Sequence, residues 1–136
     1  MASLRAVLRR YAEQTYALMR IVVPFVYLCH GAQKLFGVFG GHPVWGGPPL
    51  FIAAGLIEMT CGPLMLVGLF ATPAAFIASG EMAVAYFYMH LPHGGPLPIL
   101  NHGELPAIFS FVFLYIASRG AGTWSLDSLR GAAGSA

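Results

Sequence analysis

Long apolar runs alternate with short polar or glycine- and proline-rich breaks along most of the chain. Four of these runs cover about residues 15–36, 50–70, 73–90 and 104–118. A bilayer core of about 30 Å needs about 20 helical residues for one crossing. The pattern therefore predicts four transmembrane helices in a single membrane domain over residues 1–136. The fourth run is short, so its helix must use part of the preceding loop or locally thinner lipid.

The N-terminal segment has a different pattern, in which apolar residues recur at helical spacing with arginines between them. The apolar positions are Leu4, Val7, Leu8 and Tyr11, and the basic ones are Arg5, Arg9 and Arg10. This pattern is typical of a helix that lies on a charged membrane surface. The expected fold class is therefore all-α: an integral membrane four-helix bundle with a short N-terminal amphipathic helix.

A cleaved signal peptide is an alternative reading of the first apolar run. A signal peptide ends in a site with small residues at fixed positions, of the A-x-A type. The sequence CHGA that follows the run does not match, because His30 stands where a small residue is needed. We therefore expect an uncleaved membrane anchor.

Composition excludes several classes of protein. The chain is 57% hydrophobic and 9% charged, whereas a soluble domain carries roughly 25% charged residues. The formal net charge is only +2, which leaves no basic surface for neutralising many phosphates. The lipid bilayer is the expected partner, and nucleic-acid binding is not expected.

The distribution of basic residues predicts the orientation. Six of the seven lie before, at the start of, or after the four crossings: Arg5, Arg9, Arg10, Arg20, Arg119 and Arg130. With an even number of crossings these six share one side, and only Lys34 lies toward the other. The positive-inside rule therefore places both termini in the cytoplasm.

Polar side chains collect on the opposite, outer side. Residues 30–41 read HGAQKLFGVFGG, in which His30 and Lys34 share one helical face. The other outer polar residues are His42, His90, His93, Asn101, His102 and Glu104. This clustering predicts an external polar mouth. The alternative is that outer loops simply tolerate polar residues.

Two carboxylates lie deep inside the predicted crossings. Glu58 and Glu81 are each roughly 12 to 14 Å from the nearer end of their helix. A lone carboxylate at that depth is costly, so each must be neutral, paired with a cation such as Lys34, or exposed to a polar cavity. Both are candidate catalytic groups that manage protons. The alternative is that they are packing contacts between helices.

Helical angles limit which side chains can meet. Glu81 and His90 are nine residues apart, about 180° on a straight helix, so they face one cavity only if the helix bends between them. Tyr88 is a better partner for Glu81 on the same face. No HxxxH, CxxC or HExxH spacing occurs, so no metal site is predicted.

Several short motifs together resemble a known family. They are HGAQKLFG at 30–37, GLIE at 55–58, GEMAVAYF at 80–87, His90 and NHGE at 101–104. In this order and spacing they are similar to the DoxX family of small four-helix bacterial inner-membrane proteins. The family is related to subunits of a thiosulfate:quinone oxidoreductase. The resemblance implies a multi-pass inner-membrane protein in contact with a quinone or with other membrane or redox subunits.

Two functions are consistent with this sequence. The first is a component of a redox system, an accessory or quinone-interacting subunit of an oxidoreductase with a polar intramembrane pocket open to the periplasmic side. In that reading Glu58 and Glu81 handle protons, and the cofactor-binding residues are His30, Lys34, His90, Asn101 and Glu104. The cofactor itself is not fixed by the sequence, and a quinone is a candidate. The second is a non-enzymatic scaffold or small-molecule carrier, alone or as a homo-oligomer, whose buried polar residues fix helix packing.

Overall fold

The structure, a computed structural model, describes residues 3–133 and the side chains of residues 3–131. This part of the chain is all-α, without a strand, as the sequence predicts. In order, the elements are α1 Leu4–Arg10, α2 Ala12–Phe36, α3 Pro49–Val67, α4 Ala71–Ala85, a π-helical segment Tyr86–His90, α5 Leu91–Gly94, α6 Pro98–Asn101, α7 Glu104–Arg119 and α8 Leu126–Ala133. The single domain predicted over residues 1–136 includes residues 1–2 and 134–136, which lie outside the described residues.

Two helices within residues 3–133 are long and apolar enough to cross a membrane: α2, with 25 residues, and α3, with 19. The predicted range 73–90 falls on α4 and the π-helical segment, and the range 104–118 falls on α7. Helix α3 ends before the predicted residue 70, because Gly68 adopts a left-handed conformation with φ of 67°. That all four helices cross a bilayer stays a prediction.

The four long helices pack as neighbouring pairs, with α2 along α3, α3 beside α4, and α4 along α7. Glycines bring α2 and α3 into close contact. A Cβ atom on Gly31 would lie 2.8 Å from the Cβ of Glu58, and one on Gly62 would lie 3.1 Å from the Cβ of Leu28. Small residues of this kind let membrane helices approach closely. The register between α2 and α3 is therefore tightly constrained.

Arg20 holds one end of this assembly together. Its side chain is fully buried. One guanidinium nitrogen, Nη1, donates to the Met65 and Leu66 carbonyls of α3 at 2.9 and 2.8 Å. The other, Nη2, donates to the carbonyls of Thr123 and Trp124 at 3.2 and 2.6 Å. The carbonyls at the C-terminal end of α3 are short of partners within the helix, so Arg20 satisfies them and ties the C-terminal segment to α2.

Further contacts bring both ends of the described chain to this same end of the helices. The Tyr16 hydroxyl of α2 donates to the Gly120 carbonyl at 2.5 Å, and Glu13 pairs with Arg119. The Asp127 carboxylate of α8 accepts from the backbone N–H groups of Phe70 and Ala71 at the start of α4, both at 3.1 Å. We call this the arginine end, after Arg20.

Candidate functional site

A cavity of about 700 Å³ lies toward the opposite end of the helices from Arg20. Its walls are mainly apolar and come from the N-terminal half of α3 and from α4, with Ile57 and Val84 as examples. The polar side chains that reach it are Lys34 of α2, Glu81 of α4, and His90 and His93 beyond α4. The cavity is therefore an apolar slot with a cluster of ionisable groups.

Lys34 and Glu58 form a close ion pair beside the cavity. The Lys34 Nζ lies 2.5 Å from the Glu58 Oε1. Glu58 is 1% exposed, whereas the Lys34 side chain is 28% exposed and lines the cavity. A buried carboxylate needs a cation or hydrogen bonds to offset its lost hydration. The second oxygen of Glu58, Oε2, is buried without a hydrogen-bond partner among the described residues.

Glu81 reaches the same cavity from α4 and binds a different partner. The Tyr27 hydroxyl of α2 donates to the Glu81 Oε2 at 3.0 Å. Tyr27 is completely buried, with its ring 4.8 Å from the ring of Phe113. Its hydroxyl is therefore held rigidly by packing. Glu81 itself is half-buried and has one face toward the cavity.

The π-helical segment Tyr86–His90 brings His90 to the same cavity as Glu81. On a regular α-helix these two residues would point in opposite directions. A π-helix has a wider turn and shifts the angle of every residue that follows. The bend that the sequence analysis required is therefore present. Tyr88, expected to share the face of Glu81, is instead 65% exposed.

Asn101 fixes the orientation of His90 from outside the cavity. The His90 Nδ1 lies 2.9 Å from the Asn101 backbone carbonyl. A carbonyl oxygen only accepts, so the proton of a neutral His90 sits on Nδ1 and leaves Nε2 as an acceptor. The buried Asn101 side chain donates to the Gly95 carbonyl at 2.7 Å and accepts from the Gly103 N–H at 2.8 Å. These bonds hold the loop that carries the carbonyl.

The structure brings together only part of the site predicted from the sequence. Lys34, Glu81 and His90 line the cavity. Glu58 is connected to it through Lys34, and Asn101 through His90. Two predicted residues lie outside it.

His30 and Glu104 are the two predicted site residues that lie outside the cavity. The His30 ring lies 6.4 Å from the ring of Phe109, and Glu104 begins α7. Neither lines the cavity. Clustering of polar residues on the outer side suggests both, but a shared side of the membrane does not determine the direction in which a side chain points.

Sequence patterns do not by themselves reveal two of the contacts described above. Tyr27 is the partner of Glu81, and Arg20 organises the far end of α2. A signal was available, because Arg20, Tyr27 and Lys34 are spaced by seven residues and so lie on one face of α2. Arg20 also fits the positive-inside pattern, and Tyr27 lies within an apolar run, so neither residue stands out by its type.

Comparison with known proteins identifies the family. A family model described as DoxX matches residues 15–91. The chain belongs to the DoxX family. This DoxX protein is also 41% identical to an uncharacterized protein of Haemophilus influenzae over 127 residues, which covers 89% of this chain and 94% of that relative. No solved structure matches significantly.

The family assignment agrees with the membrane character of the helices. The matched region contains Lys34, Glu58, Glu81 and His90, so all of the cavity lining except His93 belongs to the part of the chain that matches the DoxX model. The same region contains α2 and α3, the two helices suited to crossing a membrane. This DoxX protein is therefore a membrane protein that contacts lipid.

Proposed function

We propose that this DoxX protein is an inner-membrane component of a redox system and that its cavity binds the ring of a quinone. The observation that carries the proposal is the cavity itself, whose apolar walls end at Lys34, Glu81 and His90. Pockets for small molecules combine apolar walls with a few convergent polar groups in this way. Perturbed or paired ionisable groups inside a membrane domain also mark functional sites more often than packing contacts.

The residues present fit a quinone. The volume of about 700 Å³ lies within the range of small-molecule sites, roughly 300 to 1,000 Å³. The Lys34 ammonium can donate to one carbonyl oxygen of the ring. The apolar wall includes Leu50, Ile77 and Val84, which are 40%, 51% and 50% exposed. A ligand dissolved in lipid could therefore reach the cavity from its flank.

Each polar group has a distinct part in the proposal. Lys34 would stabilise negative charge on a bound oxygen, because an ammonium in a dry cavity interacts strongly with developing charge. Glu58 would position the Lys34 side chain through their ion pair. Glu81 would exchange protons with the cavity, while its bond to the Tyr27 hydroxyl fixes the carboxylate.

His90 and its support complete the proposed site. The Nε2 of a neutral His90 is free to accept a proton or a hydrogen bond, because Nδ1 is committed to the Asn101 carbonyl. A quinone takes up two electrons and two protons when it is reduced. The electrons would come from a redox partner, so other membrane subunits are part of this proposal.

The proposed arrangement in the membrane has four crossings, formed by α2, α3, α4 with the π-helical segment, and α7. The arginine end would face the cytoplasm, with both termini, because it carries Arg5, Arg9, Arg10, Arg119 and Arg130. The cavity would then open toward the periplasmic side. A four-helix bundle in this orientation keeps its ionisable residues away from lipid.

A second candidate is a membrane scaffold or small-molecule carrier. It is favoured by the fact that both deep carboxylates have partners inside the protein, Lys34 for Glu58 and Tyr27 for Glu81. Contacts of this kind can hold helices in register without any ligand. The unpartnered Oε2 of Glu58 and the open cavity favour the first candidate.

Binding of a decyl-tailed benzoquinone to the full chain in nanodiscs separates the two candidates. We expect saturable binding that weakens about tenfold, equivalent to about 1.4 kcal/mol, in Lys34→Met. Thr60→Val is the matched control, because Thr60 is on α3, is exposed, and its hydroxyl donates, among the described residues, to the Leu56 carbonyl of its own helix. Absence of saturable binding, or equal affinity in Lys34→Met and Thr60→Val, would support the scaffold.

A further inference from the structure

The arginine end presents two terminal helices that nothing in the described part of the chain covers. Helix α1 has no buried residue. Its apolar side chains Leu4 and Leu8 are 74% and 61% exposed. Helix α8 similarly exposes Leu129, and Trp124 is exposed in the turn before it. An amphipathic helix with an uncovered apolar face needs a partner surface.

Charge at this end is unbalanced. Five exposed arginines and the buried Arg20 accompany two acids, Glu13 and Asp127, which gives an excess of four positive charges. Both acids are already engaged: Glu13 with Arg119, and Asp127 with the start of α4 and, at 3.8 Å, with Arg130. Within residues 3–133 the remaining exposed arginines, those of α1, form no ion pair with an acid.

The two helices lie at one end because side chains tie them there. Arg20 binds the Thr123 and Trp124 carbonyls just before α8, and Asp127 binds the start of α4. Helix α1 leads directly into α2. Apolar side chains and arginines from both termini therefore lie at the same end of the helices, and we call α1, Trp124 and α8 together the terminal collar.

We propose that the terminal collar binds the headgroups of anionic phospholipids. Its exposed leucines and Trp124 would enter the boundary between headgroups and acyl chains, where an amphipathic helix and a tryptophan are stable. The α1 arginines Arg5, Arg9 and Arg10 would bind phosphates, because each lacks an acidic partner within the described residues and a guanidinium matches a phosphate well. This site is separate from the cavity and does not depend on its ligand.

The two tryptophans of the chain allow a direct test. Trp124 belongs to the collar, whereas the Trp45 Nε1 donates to the Leu35 carbonyl near the opposite end of α2. Trp45→Phe leaves Trp124 as the single reporter, and Trp124→Phe leaves Trp45 as the matched control. Each full-length variant is reconstituted in vesicles of phosphatidylcholine and phosphatidylglycerol in a three-to-one ratio. Bromine is carried on the acyl chains of one lipid or the other, and quenching of fluorescence is measured.

Quenching of Trp124 per mole of brominated lipid should be at least about twofold stronger for phosphatidylglycerol than for phosphatidylcholine, because each surface arginine enriches anionic lipid. Trp45 should be quenched equally by both. The preference at Trp124 should disappear when Arg5, Arg9 and Arg10 are all changed to Gln, a change that disturbs no buried side chain. Raised salt, which screens the headgroup charge, should reduce the preference in the unsubstituted collar.

Equal quenching of Trp124 by the two lipids would overturn the proposal. So would a preference that survives both the arginine substitutions and raised salt. Weak quenching of Trp124 by both lipids would indicate that a second copy of the chain or another protein covers the collar, and would also overturn it.

Discussion

Helix α2 carries two cations on one face, and their environments differ sharply. Arg20 is fully buried and donates to four backbone carbonyls. Lys34, two heptads further along, is partly exposed and binds one side-chain carboxylate, that of Glu58. Tyr27 lies between them and reaches Glu81. The two ends of a single helical face therefore show two ways of keeping a charge inside a membrane protein.

The contacts of Arg20 and Lys34 differ in whether the partner group can move or change its protonation. A backbone carbonyl in a packed segment neither moves nor takes up a proton at ordinary pH, so the hydrogen bonds of Arg20 are fixed. A carboxylate can change its partner or its protonation, and one oxygen of Glu58 has no hydrogen bond to any residue that the structure describes. Strong but exchangeable contacts are typical of sites that bind ligands, whereas fixed contacts stabilise a fold.

The largest effect is expected from Arg20→Met. The substitution removes the Arg20 donor from four carbonyls. Met65 keeps the Gly68 N–H at 3.1 Å, but the Leu66, Thr123 and Trp124 carbonyls lose this donor. Unpaired buried groups are costly, so the free energy of unfolding should fall by about 3 kcal/mol or more. Arg119→Met is the control, because Arg119 pairs with the exposed Glu13 and should cost less than about 1 kcal/mol. Unfolding in mixed micelles, followed by circular dichroism, measures both. Similar losses of unfolding free energy in the two variants would mean that Arg20 stabilises the fold no more than a surface arginine does.

A double-mutant cycle of Lys34→Met and Glu58→Gln should show the next largest effect. Lys34→Met leaves a buried carboxylate without its cation, whereas Glu58→Gln leaves a lysine that can still reach the cavity. The first variant should therefore be the less stable of the two. The double variant should be more stable than the sum of the single losses predicts, by about 1 to 3 kcal/mol. Strict additivity in the same unfolding assay would argue against the ion pair.

Deletion of Phe87 tests the π-helical segment. Removing one residue should restore α-helical spacing and rotate His90 away from Glu81 by about 100°. The lost bond between His90 and the Asn101 carbonyl should cost about 1.5 kcal/mol. Affinity for the decyl-tailed benzoquinone should fall.

Phe87→Ala is the matched control for this deletion. It keeps the residue count, and Phe87 is 63% exposed, so binding should be retained. If the deletion and the substitution bind the benzoquinone equally well, His90 has no part in the site.

The smallest effect is expected from Tyr27→Phe. The substitution keeps the packed ring and removes only the hydroxyl that donates to Glu81. Because Glu81 is half-buried at the cavity, another donor can replace that hydroxyl, and the loss should be about 0.5 kcal/mol. A loss of unfolding free energy as large as that of Arg20→Met would show that the contact between Tyr27 and Glu81 is as fixed as the contacts of Arg20.

Much of the fold could be predicted from the sequence, because apolar patterning and breaker residues determine where helices form. The all-α class and the family were predicted correctly. The end of α3 was placed too late, since Gly68 follows it within an otherwise apolar run and the left-handed conformation of Gly68 left no signal in hydropathy. The π-helical segment also left none, because no residue type encodes a π-turn as a proline encodes a kink.

The candidate site could be predicted only in part. Unusual residues in an apolar environment, Lys34, Glu58 and Glu81, were conspicuous because burying them is costly. Tyr27 was not, since a tyrosine inside an apolar run resembles ordinary core. His30 and Glu104 were predicted from their position on the outer side, and the packing between helices, which sequence periodicity does not specify, leaves both outside the cavity lining.

Gly31 has a mechanical consequence for the cavity. Its missing side chain lets α2 rest directly against Glu58 on α3, with no room for even a methyl group. A shift of α2 along α3 would bring these atoms into collision. The two helices therefore keep a fixed register around the Lys34–Glu58 pair. A change in the width of the cavity must therefore come from α4 or from the segment 86–94 that follows it, and a cross-link between α4 and α3 should restrict that change.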